Sequence, residues 1–237
     1  MDGLKGGVAF GFGSDRTRVG LSGTRSDSNF YSATAYASWK MLSQVFLDGT
    51  AGFGSASFDT RRFIPAESLF VTGKRDGTEI FGSLALTSEQ KWGALKLAPY
   101  ARVDAMRIML GHSTESGSAI WALNYARLNQ TSVTGVLGLR GQYPVEMSWG
   151  VLTPTSRLEY RHAFDQSFRQ VLNYADQTAG PYYTLTGQAR SRDLFAAALG
   201  LQAKTFGNVT ASFDWQLGVA AQKVQSQTLR ASLSVGF

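Results

Sequence analysis

The chain has 237 residues, 43% of them hydrophobic and 12% aromatic, with 26 Gly, 5 Pro, no Cys and a net charge of +6. That length fits one large all-β domain or two small ones. No apolar run reaches the roughly 18 residues of a transmembrane helix, but a mean hydropathy of −0.11 leaves a membrane barrel open, because lipid-facing and lumen-facing residues average out.

Taken in chain order, the predicted elements are strands, since period two recurs and helical periodicity is almost absent. They cover 6–13, 17–27, 31–41, 44–58, 78–90, 95–105, 131–143, 151–164, 194–204, 208–219 and the final stretch "TLRASLSVGF". In 95–105, Leu95, Leu97, Pro99, Ala101 and Val103 alternate with Lys96, Tyr100, Arg102 and Asp104. In 151–164, Leu152, Pro154, Leu158 and Tyr160 alternate with Thr153, Arg157, Glu159 and Arg161. In 208–219, Val209, Ala211, Phe213 and Trp215 face away from Thr210, Ser212, Asp214 and Gln216. These are about eleven segments, each near the ten residues a tilted membrane strand needs. "SDRT", "MLSQ", "KWGA" and "TFGN" are predicted short turns. Residues 59–77, 111–120 and 165–193 are predicted long polar loops, and 165–192 is expected to form its own hairpin.

A soluble β-sandwich also alternates. Here the apolar faces are rich in Ala and Gly, which lipid tolerates better than a packed core does. Trp39, Trp92, Tyr143, Trp149 and Phe206 lie beside the short turns, where an interfacial aromatic girdle belongs. A barrel is therefore favoured. Its lumen would be lined by Arg102, Asp104, Arg140, Arg157, Glu159, Arg161, Lys204 and Asp214. Pro99 and Pro154 sit in mid-strand, where a missing donor is costly, and the pattern alone gives no reason for them.

Little here suggests catalysis. The two histidines, His112 and His162, are too few and too far apart for a metal cluster, and "GHSTESG" fails as a nucleophile elbow. No catalytic residue, metal ligand or cofactor site is expected. The basic residues are scattered singly, which argues against a nucleic-acid partner, and the lack of cysteine does not fix the compartment. The opening "MDGLKGG" lacks the pattern of a signal peptide. The chain is expected either to remain unexported or to be the distal part of a longer precursor.

The ordered series "RVGLSGTRSDS" (18–28), "VFLDGTAGFGSASFDTRRF" (45–63), "LAPYARVD" (97–104), "TGVLGLRGQYP" (134–144), "LTPTSRLEYRHAF" (152–164), "RDLFAAALGLQAK" (192–204) and "LSVGF" (233–237) resembles the C-terminal translocator domain of autotransporters, the type V secretion family. The resemblance implies an antiparallel transmembrane β-barrel of about 11–12 strands, with the family's first strand and plug helix missing from this chain. It implies a single outer-membrane barrel over residues 1–237, with an extracellular hairpin at 165–192, and prolines in equivalent strands. Leu229, Leu233, Val235 and Phe237 resemble the C-terminal signal read by the barrel-assembly machinery. The implied partners are outer-membrane lipid, that machinery and a passenger polypeptide, with the barrel a monomer. The expected function is to export and anchor the passenger at the bacterial cell surface. A stand-alone porin-like channel is the alternative, and an outer-membrane hydrolase using His162 and Asp165 is a weaker one.

Overall fold

The structure is a computed structural model that describes residues 3–165, 167–177, 180–188, 191–220 and 223–236. Among the described residues there is no helix. The strands are β1 (Leu4–Val19), β2 (Thr24–Leu42), β3 (Val45–Ile64), β4 (Leu69–Ser88), β5 (Gln90–Trp92), β6 (Leu95–Leu110), β7 (Ser113–Thr114) and β8 (Leu123–Tyr125). They continue with β9 (Leu128–Gln142), β10 (Val145–Met147), β11 (Gly150–Ala163), β12 (Ser167–Tyr174), β13 (Tyr183–Gln188), β14 (Asp193–Thr205), β15 (Val209–Ala220) and β16 (Lys223–Val235).

The main sheet runs β1-β2-β3-β4-β6-β9-β11-β14-β15-β16. Every neighbouring pair is antiparallel, and the sheet curls into a half-barrel. Short β5 and β10 continue β4 and β9 past an interruption and pair with β6 and β11. The alternation that predicts strands thus resolves into ten full-length ones. "SDRT" is not a turn: β1 runs through it to Val19, pairing Asp15 with Ser28 and Arg16 with Asp27, and the reversal falls at Gly20–Gly23. Residues 59–77 are not a loop either. β3 and β4 extend through them to a four-residue turn at Pro65–Ser68, with register kept from Val45↔Ser88 to Ile64↔Leu69.

The strand prolines now have a physical setting. Beside Pro99, the neighbouring ladder stops at Thr87↔Tyr100 and restarts at Gln90↔Leu97. Beside Pro154, it stops at Thr155↔Gln142 and restarts at Leu152↔Val145. Each proline lies opposite a break, where a ladder donor is not required.

The two faces differ sharply. Phe10, Phe12, Phe53, Ile80, Leu84, Val103, Leu137, Leu158, Phe195, Leu199, Phe213 and Leu229 all sit exposed on the outer face. The buried residues Ala85, Tyr100, Val136, Glu159, Ala196 and Ala198 sit on the inner one. This is the reverse of a soluble sandwich, which hides its large aliphatics.

A second, four-stranded sheet has the order β13-β12-β8-β7. It is built from the two long connections, 111–127 and 164–192, and β12 joins them by pairing with both β13 and β8. A bridge between Thr72 and Ser116 ties it to the upper part of β4.

Candidate functional site

The inner face of β6, β9, β11 and β15 carries a charge ladder centred on Glu159. The i, i+2, i+4 spacing of Arg157, Glu159 and Arg161 puts all three on one side of β11. Glu159 has no solvent-exposed side-chain surface. A buried carboxylate persists only when paired and hydrogen-bonded, and both of its oxygens are engaged. Tyr100 donates its hydroxyl to Oε1. Arg161 donates to Oε2 from Nε at 2.7 Å and again from Nη2. Arg102 Nη1 and Arg157 Nε stand 3.7 and 3.8 Å from Oε1.

Tyr100, Gly138 and Glu159 form one cross-strand row. The tyrosine crosses β9 above Gly138 to reach the carboxylate, and a Cβ on Gly138 would lie 2.3 Å from Tyr100 Cζ. Only glycine leaves room for that approach. The Arg140 guanidinium stacks over the same ring, 4.4 Å from its centroid. Arg102 pairs with Asp104 at 2.9 Å, and Arg157 donates from Nη2 to Gln216 Oε1 at 2.6 Å.

Arg102, Asp104, Arg140, Arg157, Glu159 and Arg161 are therefore brought together. Asp214 shares a cavity with Arg140 and Arg157. Lys204, opposite Val151 and Thr210 near the short-turn end of β14, stands apart. Trp39, Trp92, Tyr143 and Trp149 are exposed and close to the turns at 43–44, 93–94 and 148–149. Leu229, Leu233 and Val235 are exposed and face Trp215, Ala211 and Val209 across β15. Phe237 lies outside the described residues.

Sequence reasoning placed Tyr100 and Gln216 on polar strand faces but named neither of them, nor Arg230, as a member of the site. It also missed an apolar hollow of about 450 Å³ lined in part by Phe30, Phe58, Ile108 and Leu110. His162 does not pair with Asp165 in this structure. Its Nδ1 lies 2.8 Å from Asp193 Oδ1, an oxygen that also accepts from Tyr160 at 2.6 Å.

Two arginines on the inner side of the extended β3–β4 hairpin hold the second sheet. Arg62 binds Glu115 bidentately, from Nε at 3.1 Å and Nη2 at 2.5 Å, and donates to the Trp121 carbonyl at 2.9 Å. Arg75 donates to the carbonyls of Gly111 and Ala126, each at 2.8 Å, and to Gln170 at 3.0 Å. Burial first, and then the Glu115 carboxylate, push the Tyr125 hydroxyl of β8 above its ordinary pKa.

A curled antiparallel sheet with an oily outer face and a charged inner one defines a membrane β-barrel protein. The family model described as "Autotransporter beta-domain" matches residues 1–216. The chain belongs to the autotransporter β-domain family, the outer-membrane translocators of passenger export. In fold it is similar to the translocator domain of autotransporter NalP from Neisseria meningitidis, with a TM-score of 0.76, 14% identity, and coverage of 98% of this chain and 75% of that one. The transport unit of AIDA-I from Escherichia coli aligns at a TM-score of 0.41 and 9% identity, over 100% of this chain and 91% of that chain. The beta domain of the Bordetella autotransporter BrkA aligns at 0.34 and 12%, over 98% and 97%. No curated protein sequence matches the chain.

Proposed function

We propose that this chain sits in the bacterial outer membrane as a single monomeric domain and both passes and anchors a passenger polypeptide there. The carrying observation is the segregation of the faces: exposed Phe10, Leu137, Leu199 and Phe213 on one side, solvent-free Glu159 and its arginines on the other. In hydrocarbon the antiparallel ladder satisfies the backbone and the oily face meets lipid. The inner face then lines the wet path, and Arg102, Asp104, Arg140, Arg157, Glu159, Arg161, Lys204 and Asp214 are its lumen residues.

β3 and β4 have 20 residues each, or ~66 Å of strand. At the usual tilt that is roughly 50 Å of height, against an apolar band of about 25 Å. On this reading the surplus carries the second sheet, with the 165–192 hairpin, outside the cell. The opposite rim carries Trp39, Trp92, Tyr143 and Trp149 at the interface. The exposed Leu229, Leu233 and Val235, leading to Phe237, form the strand that the assembly machinery reads. The chain works as scaffold and conduit, not as a catalyst.

The test is fractionation. Expressed with a cleavable export leader in a Gram-negative host, the chain should co-sediment with outer membranes, resist alkaline extraction and dissolve in detergent. An epitope fused ahead of Leu4 should become protease-accessible on intact cells. Recovery as a folded, detergent-independent protein in the soluble fraction would overturn the proposal.

A further inference from the structure

On the inner face, Arg140 of β9 and Arg157 of β11 are direct cross-strand partners. Like charges placed opposite one another destabilise a sheet unless something compensates them. The protein supplies little compensation here. Arg157 spends one donor on the neutral amide of Gln216. Its one carboxylate neighbour, Glu159 at 3.8 Å, already serves Arg161 at closer range. Arg140 stacks on Tyr100 and, among the described residues, forms no ion pair. Arg230, on β16, forms none either.

These three guanidiniums line one cavity of about 240 Å³ together with Gln142, Gln216 and Asp214. Asp214 is the cross-strand partner of Arg230 and the only carboxylate of that lining. The lining therefore combines three fixed cations, two amides able to donate, and one anion. Guanidinium forks match the oxygens of carboxylates and phosphates in pairs.

We propose that this cavity is an oxyanion-binding site, selective for a doubly charged tetrahedral anion of the phosphate class over a singly charged carboxylate. A dianion neutralises the excess of two positive charges that three arginines and one aspartate leave, whereas a carboxylate neutralises half of it. The site requires only that the inner face is wet, so it does not depend on passenger export. Arg140 and Arg157 reach the anion from the adjacent strands β9 and β11, Arg230 reaches it from β16, and Asp214 weakens binding.

The experiment is calorimetric titration of the full chain, folded in detergent at low ionic strength, with inorganic phosphate and separately with acetate. Folding of every variant is checked by the heat-dependent shift in gel mobility. Phosphate should saturate one site, and acetate should bind at least about tenfold more weakly. Arg230→Gln should weaken phosphate by about tenfold or more, as loss of a charge-assisted bond requires. Asp214→Asn should tighten it, and because that change removes a charge rather than a grip, it keeps the test decisive if an arginine variant fails to fold. Non-saturating heats, equal affinity for acetate, or an Asp214→Asn variant that binds no tighter would each overturn the proposal. Outer-membrane localisation would be untouched by any of these results.

Discussion

Arg75 on β4 donates from Nη1 to Oε1 of Gln170, 95 residues further along the chain, at 3.0 Å. The same guanidinium holds the Gly111 and Ala126 carbonyls. One side chain thus ties the β3–β4 hairpin to both long connections, while Gln170, itself buried, returns a bond to Ala126 at 2.9 Å.

Removing either rim arginine should release the second sheet and leave the main one intact. Arg62→Ala strips Glu115, which is only 6% exposed, of its cation, at a local cost on the order of 3 kcal/mol. Limited proteolysis of the folded variant should cut within 111–127 or 164–192 much faster than in the parent, with the heat-dependent mobility shift unchanged. Equal cleavage rates would show that the arginines do not hold the sheet.

Glu159→Ala should destabilise the main sheet more than any single arginine change around it. Deleting the carboxylate leaves Tyr100 and Arg161 without their acceptor and brings Arg102 and Arg157 close with no anion between them, a loss of about 3–5 kcal/mol. The temperature of the gel-mobility transition should fall accordingly, with Glu159→Gln intermediate.

Gly138→Ala should act through Tyr100. The added methyl occupies the space of the ring, so the tyrosine must leave and its bond to Glu159 breaks. Adding Tyr100→Ser should recover much of the loss, giving a non-additive double-mutant cycle. Strict additivity would mean the two residues are energetically independent.

The faces should respond oppositely to charge. Leu137→Arg, on the outer side, should cost ~2–4 kcal/mol in a bilayer if it lies near the midplane, seen as poor refolding into vesicles. Ser83→Arg, directly across from Asp104 on the inner side, should refold nearly as well as the parent.

The strands were legible because a half-oily sheet writes its period into the chain: Leu158 and Tyr160 against Arg157 and Glu159 need no partner to be recognised. The long segment 59–77 misled because Arg61, Arg62, Lys74 and Arg75 look like loop residues. They are the charged ends of strands that outrun any apolar band, and Arg62 and Arg75 are spent on a sheet the local pattern does not announce. That second sheet was only partly legible, since β12 pairs with β8 across some fifty residues and such pairing leaves no mark in either segment. The 165–192 hairpin carried its own turn signal; its partner did not. Within the ladder, the arginines stood out by charge. Tyr100, although it alternates in step with the polar residues of its strand, did not, because its reach across Gly138 to Glu159 depends on a neighbouring strand the local pattern does not name.

The row Tyr100–Gly138–Glu159 also polices alignment. Alternation alone forbids a slip of one residue but permits a slip of two, since both faces survive it. Sliding β11 by two against β9 would bring Arg157 or Arg161 under the Tyr100 hydroxyl and carry Glu159 out of its reach. The oily pattern decides which way each strand faces; the tyrosine's bond to Glu159 decides how far along it sits.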